Sequence, residues 1–148
     1  VPINSTVSAV KVALKNALTT GLPTTQIIYG GRNSVTLTGE QVVAVGDVTG
    51  NSTVASMDPD GDIEEVYDVE IIASAAFSGA DQQAATEAAL ALWQAVRTYL
   101  GGLADETLGV AGVFALRPLG DWSLRESATE RGRSAAVIFQ VRVQAFIS

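Results

Sequence analysis

The chain has 148 residues, nine of them basic and sixteen acidic, for a formal net charge of −7 at pH 7, and it contains neither cysteine nor histidine. That length suits one domain spanning residues 1–148 with a single substantial core. The two missing residue types exclude disulfides, thiolate or imidazole metal ligands and any nucleophile that relies on a histidine base, while the acidic balance argues against gripping a nucleic-acid backbone as the main task.

Asn4-Ser5-Thr6 offers side-chain oxygens to cap a first helix. Val7, Val10, Leu14 and Leu18 follow as an apolar stripe at helical spacing, and Gly21-Leu22-Pro23 ends it. Lys11 and Lys15, the only lysines, are expected on the exposed side of this helix. A solvated lysine keeps its charge and makes a poor catalytic base. Gln26-Ile27-Ile28-Tyr29 reads as a short strand ended by Gly30-Gly31, and residues 32–40 as a polar connection. Residues 41–48 predict a second strand, whose continuous apolar run suggests burial on both faces.

Residues 49–62 read as loop, because Gly50-Asn51-Ser52 and Asp58-Pro59-Asp60-Gly61-Asp62 are turn formers. A third strand begins at Glu64. It places Tyr67, Val69, Ile71 and Ala73 on one face; Val66, Asp68, Glu70 and Ile72 take the other, polar at its start and apolar toward its end. Asp81 is the expected cap of a second helix over residues 82–100, buried along Ala85, Ala88, Ala89, Leu92, Val96, Tyr99 and Leu100 and stopped by Gly101-Gly102. Its many alanines allow close approach to a sheet. Residues 111–116 and 122–127 predict two strands with Arg117-Pro118-Leu119-Gly120-Asp121 as the hairpin turn between them. The last strand, residues 135–147, is long and alternates cleanly from Val137 to Ile147.

The order α-β-β-β-α-β-β-β defines an α+β domain: a mostly antiparallel sheet of about six strands with two helices packed on one face. No run approaches the ~18 consecutive apolar residues of a membrane helix. Val1-Pro2-Ile3-Asn4-Ser5 lacks the basic and apolar blocks of a secretory signal, so synthesis in the cytoplasm is expected.

Chemical motifs are weak throughout. Asp58, Asp60 and Asp62 imitate the start of a calcium loop, but its sixth position is Ile63 rather than glycine and its twelfth is Val69 rather than glutamate. Gly30-Gly31-Arg32-Asn33 is followed by no P-loop lysine. Glu64, Glu65, Asp68 and Glu70 have no partner cation in the pattern and read as the wet face or rim of a strand. No catalytic, cofactor or metal residue is therefore assigned. Arg117, Arg125, Arg131 and Arg133 gather late in the chain around Trp122. Two readings stay open for them: an exposed hairpin and loop, or a subunit interface rich in hot-spot residue types that meets the acidic Glu64, Glu65 and Asp68 of a neighbouring copy.

From Val7 to Phe146 the chain resembles the tail terminator (tail completion) proteins of long-tailed bacteriophages. Three pieces carry the resemblance. They are the capped helix ending in Gly21-Leu22-Pro23 with the strand and Gly-Gly turn after it; Glu65-Val66-Tyr67-Asp68-Val69-Glu70-Ile71 running through Ser78-Gly79-Ala80-Asp81 into the alanine-rich helix; and Leu108-Gly109-Val110-Ala111-Gly112-Val113 ahead of the final strands. The resemblance implies a non-enzymatic virion protein without cofactors, assembled in the host cytoplasm. It would form a ring, typically of six copies, that caps the head-proximal end of the tail tube. Its expected partners are further copies of itself, the major tail tube protein and the head–tail connector or stopper, with DNA only as passing cargo. The long final strand is the expected edge for pairing between copies. A head–tail connector or stopper component is the competing assignment, and a small ligand-binding α+β domain a more distant one.

Overall fold

The computed structural model describes residues 5–30, 41–54, 63–129 and 132–147. Helix α1 (Val7–Gly21) is followed by strands β1 (Gln26–Tyr29), β2 (Gln41–Val54) and β3 (Ile63–Ser78), helix α2 (Gln82–Gly101), and strands β4 (Val113–Thr129) and β5 (Gly132–Ile147). The strands form one sheet in the order β1-β2-β3-β5-β4. β1 runs parallel to β2, and the other neighbouring pairs are antiparallel.

Local signals explain the helices. Val10, Leu14 and Leu18 recur every four residues and are the buried residues of α1. Its last turn closes with the Leu22 amide donating to the Leu18 carbonyl, and Pro23 prevents extension. At the start of α2, Asp81 Oδ1 accepts from the Ala84 amide at 2.9 Å, an N-cap of the expected kind. At the start of α1, Ser5 Oγ accepts from the Val7 amide at 3.2 Å, whereas Thr6 makes no capping bond.

Both helices pack on the sheet face that carries Val43, Val45, Tyr67, Val69, Ile71, Phe139, Val141 and Val143. Val10, Leu14 and Leu18 of α1 and Leu92, Val96 and Leu100 of α2 complete that core. Toward the start of α2 the contact is made by small residues, Ala85 and Ala89 with Ala75 and Ala135 of the sheet, so the helix axis lies close to the strands. On the opposite face Ala44, Ile72 and Ile138 form a smaller apolar cluster with Ile28 and Ala136. Further along, that face turns polar at Asp68, Glu70, Gln140 and Arg142.

The sheet is mostly antiparallel, as expected, with β1 and β2 its parallel pair among the described strands. Three expectations are corrected. First, the sheet has five described strands rather than about six, because residues 111–116 and 122–127 are not the arms of a hairpin. They belong to the single strand β4, and the Pro118-to-Trp122 stretch is absorbed as an irregularity: four steps on β4 accompany two on β5, from Val141 to Phe139. An edge strand tolerates this, since the missing proline N–H can face the unpaired side and a bulge there disturbs one ladder rather than two. Second, residues 49–54 continue β2 alongside residues 63–68 of β3, after a one-residue bulge between Val45 and Val48. Third, β5 is interior, hydrogen-bonded to β3 on one side and β4 on the other. It therefore offers no edge; among the described strands the lateral ones are β1 and β4.

Candidate functional site

The central feature beneath α1 is a buried polar network. Thr6 stands at the helix start, 3% exposed, and Glu65 lies on β3, 6% exposed. Glu65 Oε1 accepts from the Thr6 amide at 3.0 Å and from the Thr6 hydroxyl at 2.8 Å. The Tyr67 phenol lies 2.8 Å from the same hydroxyl. A threonine hydroxyl has one proton, and Glu65 receives it, so Tyr67 is the donor in the second bond. Burial pushes the Tyr67 phenol well above its ordinary value; the Thr6 hydrogen bond opposes this and Glu65 adds to it. Glu65 Oε1, the Thr6 amide and hydroxyl and the Tyr67 phenol are all engaged inside the chain, and together they fasten the start of α1 to the sheet.

Glu65 is thus placed not on the wet side of its strand, as its neighbours in sequence suggested, but on the core face with Tyr67. Asp68 lies on the opposite face and is also paired. Its carboxylate takes two hydrogen bonds from Arg142, at 2.9 and 3.2 Å, across the β3–β5 ladder. This pair holds the Arg142 guanidinium above its ordinary value, through the hydrogen bond first and charge attraction second. Glu64 shares that face, opposite Phe146, and is half-buried. Two of the three acidic candidates are therefore bound to groups of their own chain.

The late candidates separate as well. Arg117 and Arg125 are exposed on β4, opposite Arg142 and Ala136 on the face away from the helices. Trp122 lies opposite Phe139 on the helix-bearing face, with its ring centroid 5.2 Å from that of Trp93 in α2. Arg97, one helical turn beyond Trp93, stands over the Trp93 ring at 5.6 Å. Arg133 is half-buried on β5 and donates to the Gly132 carbonyl at 3.2 Å. Arg131 lies outside the described residues, as do Asp58, Asp60 and Asp62.

Three surface groupings escape a sequence reading. Lys11 Nζ sits over the Tyr29 ring at 4.2 Å, joining α1 to the outermost strand. Phe114 and Phe146 stack with centroids 4.8 Å apart. Trp93 backs Trp122. The i, i+4 spacing of Trp93 and Arg97 is visible in the sequence; the other partners depend on which strands become neighbours.

Among the described residues no group of three or more aspartate, glutamate, cysteine or histidine side chains is placed to hold a metal ion. Among these residues no helix is long and apolar enough to cross a membrane. Folding and assembly are expected to persist in a chelator. A loss of structure in EDTA that calcium restores would overturn this and would point to the aspartate-rich residues 58–62.

No family model matches the sequence. No curated protein sequence matches it either. Among solved structures the fold is similar to a chain from the "Virion of native gene transfer agent (GTA) particle", with a TM-score of 0.61 and 20% sequence identity. The superposition covers 95% of this chain and 98% of that one, so the two share their architecture from end to end.

Proposed function

We propose that the chain is a structural protein of a phage-like virion, and within that class a tail terminator. Copies of it form a ring, of six by the family it resembles, on the head-proximal end of the tail tube; the ring ends tube growth and presents a surface to the connector or stopper. The observation that carries the virion reading is the near-complete structural overlap with a chain of a gene transfer agent virion. The narrower terminator role draws on the resemblance of the sequence pieces between Val7 and Phe146 to that family. A non-catalytic role accords with the internal use of the buried Glu65 and of Asp68, which leaves both carboxyl groups committed to structural bonds.

The test is length control. Purified protein added to tubes growing from the tail protein is expected to hold them at their normal length and to appear as a ring at one end. Tubes that grow past that length with the protein bound to their ends, or with none bound, would overturn the terminator role. Binding to the connector face alone would transfer the assignment to a stopper.

A further inference from the structure

Three of the four large apolar side chains that are exposed among the described residues lie on the two lateral strands: Tyr29, 45% exposed, on β1, and Phe114 and Trp122, 44% and 50% exposed, on β4. The fourth, Val12, lies on α1. Each edge also carries a cation held against an aromatic ring, Lys11 over Tyr29 and Arg97 over Trp93 behind Trp122. Tyrosine, tryptophan and arginine in this setting are the usual anchors of protein contacts.

The ladder registers place the two patches at one height. Tyr29 pairs with Val45, Val45 with Ile71, Ile71 with Phe139, and Phe139 with Trp122. Paired residues share a face, so Tyr29 and Trp122 stand on the same side of the sheet at opposite ends of one row. The strand directions also fit. β1 is parallel to β2, and three antiparallel steps lead from β2 to β4, so β4 runs opposite to β1. Bringing the β4 edge of one molecule beside the β1 edge of another creates an antiparallel neighbour. One pair of flanking charges is complementary: Asp121 is exposed next to Trp122, and Lys11 sits at Tyr29.

We infer that the partner of each edge is a second copy of this chain, with the Tyr29–Lys11 edge of one copy docked on the Trp122–Asp121 edge of the next. The two patches differ, so the contact is head-to-tail and every copy keeps one free edge of each kind until a ring closes. Copies in a ring are related by rotation without a shift along the axis. With strands running along that axis, groups at equal height meet, which is what the Tyr29-to-Trp122 row supplies. The inference rests on the ring reading above and adds which edges meet.

The absence of cysteine makes the test clean. Gln26 and Arg125 are both exposed and lie on a second common row, through Val42, Ser74 and Ala136. Gln26→Cys and Arg125→Cys proteins, mixed and treated with a short bis-maleimide both in solution and on tube ends, are expected to cross-link to each other, while neither links to itself. A chain carrying both cysteines is expected to give a ladder that stops at the ring number. Adding Trp122→Ala, or Tyr29→Ala on the other edge, should lower the yield at least tenfold without changing the melting temperature of the monomer. Self-linking of Arg125→Cys alone to the same extent as the mixture would overturn the inference in favour of a symmetric contact. Rings on tube ends that give no cross-link would overturn it too, while leaving the terminator role standing. Cross-linked rings that fail to limit tube length would do the reverse.

Discussion

Replacing Glu65 by alanine is expected to destabilise the fold by about 2–4 kcal/mol, because two buried neutral donors lose their acceptor at ~1–3 kcal/mol each. The Thr6 amide and hydroxyl both lose their acceptor, and neither has access to water at 3% exposure. Denaturant titration measures the loss, and hydrogen exchange locates it: protection should fall first in α1, whose start Thr6 defines. Glu65→Gln keeps an acceptor oxygen and should cost less than the alanine change. In a Thr6→Val background the hydroxyl is already gone, so the penalty for Glu65→Ala should shrink, and the double-mutant cycle reads the coupling directly. A Glu65→Ala protein within about 1 kcal/mol of the parent would mean the network does not anchor the helix.

Gly50→Ala is the second change with a large expected effect, about 1–3 kcal/mol from overpacking. Gly50 pairs with Tyr67, and a β-carbon there would stand 2.5 Å from the Tyr67 β-carbon. That atom belongs to the root of a buried side chain and cannot swing away, so β2 or β3 must shift. The measurement is again the denaturation midpoint. An unchanged midpoint would show that the two strands separate at Gly50 without cost.

Gly50 also shows where a sequence reading stops. Both helices, the alternation of β3 and β5, and the Asp81 cap were legible because each signal is local: a four-residue stripe, a two-residue alternation, a side chain three positions from its amide. Gly50-Asn51-Ser52 misled because the same residues that form turns also occur in strands where a glycine lets the backbone approach a neighbour's β-carbon, and Tyr67 is distant in sequence. Pro118 and Gly120 misled likewise. A turn signal inside β4 becomes a strand irregularity only because β4 lies at the edge, and edge position is a property of the whole sheet. The candidate residues divide along the same line. Arg117, Trp122 and Arg125 could be picked out by type and lie on the edge strand. Glu65 and Asp68 have partners 59 and 74 residues away, Thr6 and Arg142, which no local pattern reveals. The parity of Glu65 with Tyr67 was the available clue to its inward direction.

The placement of β5 between β3 and β4 imposes a schedule on biosynthesis. β4 leaves the ribosome before β5, yet its only described ladder partner is β5. Until β5 inserts, β4 has no place in the sheet, and β3 keeps one side of its backbone unpaired. The row from Tyr29 to Trp122 is completed only when Phe139 is seated between Ile71 and Trp122. If the inferred contact forms, nascent chains on neighbouring ribosomes would carry its β1 half without the β4 half, and could not polymerise on polysomes through it. Long-range pairing of this kind is slow to form. The delay would then withhold self-association until each molecule is whole.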